Sequence, residues 1–179
     1  MQRAIAEKLK LPAIVSDIRR SAAELLGKPV SALTGHRGWK SEQKILAIWA
    51  ADCAEHVLPY FEKKHPEDDR PRKAIEACRA WAATGVFKMA DVRRASLAAH
   101  AAAREAKEAD AIAAARSAGQ AMGTPHVTTH AFGAAAYAIK AAAAHSNNAD
   151  AGIIKERNWQ LERLRRICAE NGVLLSDRK

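Results

Sequence analysis

Trp49-Ala-Ala-Asp-Cys-Ala-Glu-His-Val-Leu-Pro59, the charged run Tyr60–Arg70, and Pro71-Arg-Lys-Ala-Ile-Glu-Ala-Cys-Arg-Ala-Trp81 decide the fold. Ile45, Trp49, Cys53 and Val57 recur every four residues, the spacing of one helix face. Ser41 is a good N-cap for that helix, and Pro59 ends it near the preceding residue. Pro71 suits the first position of a second helix, because its missing N–H has no intrahelical partner there. Asp68 and Asp69 stand where negative charge meets that helix's unpaired N–H groups. Ala74, Cys78 and Trp81 form its buried face, Arg72 and Glu76 stand four apart, and Gly85 is the stop. Tyr60–Arg70 reads as a connection.

Outward from this stretch the pattern stays helical. Helices are expected over about Met89–Lys107, Ala109–Met122, Thr124–His145 and Ile153–Asn171, with Ser146–Gly152 as a loop. Thr124 and Pro125 open the third of these, Ile154, Leu161, Leu164 and Cys168 form the buried stripe of the last, and Gly172 closes it. Ala115, Gly119 and Gly123, spaced by four, permit close approach of a neighbour. Apolar residues make up 49% of the chain but aromatics only 5%, so the apolar count is carried largely by Ala. Ala is the best helix former, while runs of Val, Ile, Thr and aromatics that favour strands are absent. The expectation is all-α: one domain of six or seven helices, an antiparallel bundle or a stacked array of helix pairs. Residues 1–38, patterned by Ile5, Leu9, Ile14 and Ile18, read as a helical arm or extension, 39–172 as the helical domain and 173–179 as a frayed tail.

The net charge is +9 and uneven. Residues 1–44 hold 9 Lys/Arg against 4 Asp/Glu, residues 153–179 hold 7 against 4, and the middle holds 13 against 12. Basic ends can attract nucleic acid, an acidic protein or anionic lipid, or can be simply solvated. The three cysteines are odd in number and show no CxxC spacing, so neither a disulfide framework nor a zinc knuckle is indicated. No run is apolar and long enough for a signal peptide or a membrane span. A cytoplasmic protein is expected.

No catalytic signature stands out. GxSxG, P-loop and GxGxxG patterns are missing, and Cys53 falls mid-stripe, where thiols are usually inert. Glu62 and His65 make a single ExxH pair, and a di-iron site needs two. His126 and His130, four apart, can share a metal, but Val127 stands where a metalloprotease needs Glu. His100, with Arg104 four residues on, lies on a small-residue stripe and needs a partner, for which Asp52, Asp69 and Glu76 are candidates. A buried polar cluster of Asp52, Arg70, Arg72, His100, Arg104, His126, His130 and Tyr137 follows as a hypothesis, either a small-molecule or metal site or helix-positioning hydrogen bonds. No cofactor is indicated. On the last helix Lys155, Trp159, Arg163 and Arg166 share a face. Trp flanked by Arg suits a protein-contact hot spot or stacking on a base; the plainer alternative is Trp159 packed on a neighbouring helix.

Trp49–Glu62, Asp69-Arg-Pro-Arg-Lys-Ala-Ile-Glu76 and Trp81 resemble a bacterial family labelled putative immunity proteins. The likeness returns at Ala99–Glu105, at Gly123 and His126-Val127, and at His130–Ala138. It covers about Ser41 to Arg165 and leaves residues 1–38 outside. It implies a non-enzymatic protein that neutralises a partner toxin by binding, and it carries over no catalytic or binding residue. Immunity proteins against nuclease toxins tend to be acidic, so a basic chain counts against a nuclease-toxin partner and better fits a partner with an acidic surface or a different role altogether.

Overall fold

Alanine side chains are short enough to let helix backbones meet closely, and the computed structural model is built on that contact. It describes residues 11–28 and 40–173. These form α1 (Leu11–Leu25), α2 (Lys40–Val57), a single turn α3 (Pro59–Glu62), α4 (Arg70–Thr84), α5 (Met89–Glu105), α6 (Ala109–Gly123), α7 (His130–His145) and α8 (Ala149–Glu170), with no strand among the described residues. Helices α6 and α7 pack most extensively and occupy the centre. Helices α4, α5, α6 and α7 each pack on the next along the chain, while α2 crosses α4, α6, α7 and α8. More than half of the buried apolar residues are Ala. The all-α expectation therefore holds, and one buried cluster runs through the helices from Ile18 to Cys168.

Large side chains are few, and they sit at crossings. Trp49 and Phe132 lie 6.4 Å apart at 60°, joining α2 to α7. The Trp49 Nε1–H donates to the Gln160 carbonyl at 2.8 Å, which ties α2 to α8. Ser117 Oγ donates to the Ala134 carbonyl at 2.8 Å, a buried link between α6 and α7. Ile18, Ala22 and Leu26 bring the segment expected as an arm into this core, against α7 and α8. The rest of that segment, including Ile5, Leu9 and the Ser31–Gly38 loop, lies outside the described residues, as does the tail beyond Val173.

Several boundaries differ from expectation, each for a local reason. Pro59 starts a helical turn as well as ending α2, because a first-turn proline forfeits no hydrogen bond. The cap of α4 comes from Asp68, whose carboxylate accepts the Arg70 N–H at 3.1 Å; the Asp69 side chain makes no cap bond. Arg72 turns to Glu62 (2.6 and 2.8 Å) instead of Glu76. Helix α7 begins at His130, not at Thr124. The Gln43 amide donates to the Thr124 and Pro125 carbonyls (2.9 and 3.1 Å), the acceptors an earlier helix would offer to Thr128 and Thr129. Helix α8 starts four residues early, because the Asn148 side chain accepts the Ala151 N–H at 3.1 Å. Ile154, expected inside, is 60% exposed, and Glu156 and Gln160 take the inward positions.

Trp49→Phe keeps the ring near Phe132 but removes the indole N–H bond to the Gln160 carbonyl, which retains its place in the helical ladder of α8. We expect a loss of about 0.5–1.5 kcal/mol, read from urea unfolding.

Candidate functional site

Two groups of polar side chains form on different sets of helices. The first lies where α2, α4 and α8 meet. Asp52 is 7% exposed and accepts from Arg79 Nη1 at 2.7 Å and from Arg163 Nε at 2.5 Å. Arg79 also holds Glu55. One turn on, His56 Nδ1 lies 2.8 Å from the buried Glu156 carboxylate, whose other oxygen accepts from Gln160 Nε2 at 2.9 Å. Trp159 stacks on the His56 ring at 3.9 Å and 10°. Asp52, Glu55, His56, Arg79, Trp159 and Arg163 line an open cleft of about 460 Å³. Beyond it Tyr60 stacks on His145 at 4.0 Å, His145 bonds Asp110 at 2.8 Å, and Lys64 pairs with the same carboxylate. Burial pushes the Asp110 carboxyl up, but the Lys64 and His145 contacts win and hold it below the ordinary value.

The second group lies across α5, α6 and α7. On α6 the small residues Gly119 and Gly123 each receive an imidazole. A Cβ at Gly119 would meet the far edge of the His100 ring at 2.8 Å; one at Gly123 would meet His130 Cγ at 2.8 Å. The glycines thus admit rings from α5 and α7, not a neighbouring backbone. His130 Nδ1 bonds Gln120 Oε1 at 2.6 Å. His100 Nδ1 is buried and has no hydrogen-bond partner. Burial lowers both pKa values. For His100 the nearby Arg116, Arg104 and His130 add to this, and for His130 the neighbour is His126. Tyr137 lies near both Arg116 and Lys140, with cationic atoms 6.0 and 5.9 Å from the ring centre.

The eight-residue cluster expected from sequence is therefore divided. His100, Arg104, His130 and Tyr137 gather on α5–α7. Asp52 belongs to the α2–α8 group, Arg70 is held by Asp68 and Glu105, and Arg72 by Glu62. None of Asp52, Asp69 and Glu76 bonds His100. His126 stands in the turn before α7, so His126 and His130 do not share a helix face. No group of three or more His, Cys, Asp or Glu among the described residues is placed to hold a metal.

On the α8 face Arg163 is committed to Asp52 and Arg166 to Glu162, Trp159 covers His56, and Lys155 borders the neighbouring cleft. Sequence reasoning missed Arg79, Glu156, Gln160, Arg116, Gln120 and Lys140. Glu156, Gln160 and Leu164, four apart on one face, were the available signal for the first group. For the second it was the lack of any Asp or Glu from Ala111 to Ala149.

Burial pushes all three thiols up, Cys78 to about 12, so none is a ready nucleophile. No described helix is long and apolar enough to cross a membrane. The described residues form an all-helical scaffold whose buried carboxylates are engaged by Arg, Lys, His or Gln, while the cations of the α5–α7 group have no carboxylate partner among the described residues. The family described as "Imm-5 like putative immunity protein" matches residues 37–167, and the chain belongs to it. No curated protein matches the chain. No solved structure matches it either.

Gly123→Ala gains helix propensity of up to about 1 kcal/mol but drives a methyl into the base of the bonded His130 ring. We expect a net loss of about 1–3 kcal/mol in denaturant melts, larger than for Gly119→Ala, where only the ring's far edge must move.

Both histidines favour the neutral ring in the folded state. Their stabilisation is complete above the unfolded value of about 6.5 and drains as pH falls through their lowered folded values. The urea midpoint should therefore drop between about pH 7.5 and 5.5, and drop less in His130→Gln.

Proposed function

We propose that this protein neutralises a partner toxin in the cytoplasm by binding it, without catalysing a reaction. The observation that carries the reading is family membership across residues 37–167, which makes an immunity-type role and a protein partner the general expectation. The chemistry of the described residues supports binding over catalysis. The thiols are held protonated by burial, and the buried carboxylates of Asp52, Asp110 and Glu156 are each engaged by Arg, Lys, His or Gln.

The alternative, a small-molecule or metal site in a joint His/Asp/Arg cluster, is the less supported reading, because Asp52, Arg70 and Arg72 are paired apart from His100 and His130. Nucleic-acid binding through the basic ends draws in part on residues 1–10, 29–39 and 174–179, outside the described residues.

Co-expression with the toxin encoded by the adjoining gene should restore growth, and the two proteins should co-purify at fixed stoichiometry. Failure to form any complex with that toxin would sink the proposal. So would rescue by substoichiometric amounts of this protein with chemical alteration of the toxin, since that is catalysis.

A further inference from the structure

The two polar groups differ in how their charge is satisfied. Around α2, α4 and α8 the guanidinium groups have carboxylates: Arg70, Arg72, Arg79 and Arg163 each hold at least one. On α5–α7 they do not. No carboxylate among the described residues pairs with Arg104, Arg116 or Lys140. The sequence enforces this, since no acid occurs between Asp91 and Glu105 on α5, or from Ala111 to Ala149. Glu105, next to Arg104, is drawn to Arg70 on α4.

These cations share one surface. Helix α6 forms its floor, because Gly119 and Gly123 let His100 and His130 lie against it from either side. Arg104 and Arg116 are close enough to His100 to disfavour its protonation, and Arg116 and Lys140 flank Tyr137. Arg104 is exposed, and Arg116, Tyr137 and Lys140 are half-buried, so the charges are accessible while their stems are held. The unpartnered His100 Nδ1 lies within the same group. Three permanent positive charges without an internal counter-charge repel one another, and an incoming anion relieves that repulsion.

We propose that the α5–α6–α7 face is where this protein engages its partner, and that the partner presents a short acidic protein segment whose carboxylates pair with Arg104, Arg116 and Lys140. This rests on the protein-binding reading above and specifies its surface and chemistry. An acidic polypeptide suits the patch better than nucleic acid. Backbone tracking uses about 6–10 phosphate contacts, against three permanent cations here. Base stacking needs an open aromatic face, whereas Tyr137 is half-buried and has two cations 6.0 and 5.9 Å from its ring centre. Guanidinium groups accept carboxylates in bidentate geometry, which gives register as well as attraction.

The test uses the full-length protein and the adjoining gene's toxin, inactivated at its own active site, with affinity measured by calorimetry. The triple reversal Arg104→Glu, Arg116→Glu, Lys140→Glu should weaken binding by about 100-fold or more. The neutral set Arg104→Gln, Arg116→Gln, Lys140→Gln, which keeps side-chain bulk, should weaken it by about 10-fold. Wild-type affinity should fall as salt rises from about 0.05 to 0.3 M, and this dependence should flatten in the neutral set. Trp159→Ala with Lys155→Glu, on the α8 face, should change affinity by less than about 3-fold.

Full affinity in both charge variants, with loss in the α8 variant, would place the partner on the other face and overturn this inference while leaving protein binding intact. The inference is overturned equally if the charge variants lose only duplex-DNA binding in a gel shift and keep the toxin. Absence of toxin binding by the wild-type protein would instead remove the protein-binding reading on which the inference stands.

Discussion

The contact between α6 and α7 is made mostly by side chains of one carbon or none, with Ser117, Gln120 and His130 fitted among them. Everything else follows from how little volume those side chains fill. Ala111, Ala114, Ala118 and Ala121 on α6 and Ala131, Ala134, Ala138 and Ala141 on α7 are fully or almost fully buried. Backbones held this close gain dispersion contact along their length, and no larger side chain fits without displacing a helix. The few large side chains, Trp49, Phe61 and Phe132, are consequently found where other helices cross this pair. Specificity at those crossings comes from polar bonds, such as Trp49 to Gln160 and Ser117 to Ala134.

A core of this kind also sorts the charged residues. Alanine helices offer few polar positions facing inward, so each buried carboxylate must bring its own cation or amide donor. Asp52 draws one guanidinium from α4 and one from α8, and Glu156 draws His56 from α2 and Gln160 from its own helix. These pairings engage the buried acids where α2, α4 and α8 meet. The central pair, almost devoid of acids, is left with an open basic face. One side thus acts as a cross-brace, and the other carries the charge that a partner can read.

The fold was legible to a large extent. Ile45, Trp49, Cys53 and Val57 lie buried on one face, as their spacing requires, and the glycines at 85 and 172 adopt the positive φ of helix ends (71° and 68°). The start of α7 was not legible. Thr124 and Pro125 are good helix openers, and only Gln43, distant in sequence, captures their carbonyls. The candidate site was legible only as a set of residue types. His100 and His130 both lie against α6, at Gly119 and Gly123, but Asp52 and Arg72 joined other groups, since several acids lay within reach of several cations along the chain.

The sequence by itself determined the helices and their apolar faces, through periods and propensities that act within a few residues. It also determined family membership and the lack of acids from Ala111 to Ala149. Only the tertiary structure decided which cations were consumed and which were left open. Ion pairing depends on separations of a few ångströms between residues far apart in the chain, as with Asp52 and Arg163. No local pattern encodes those separations until the helices have packed.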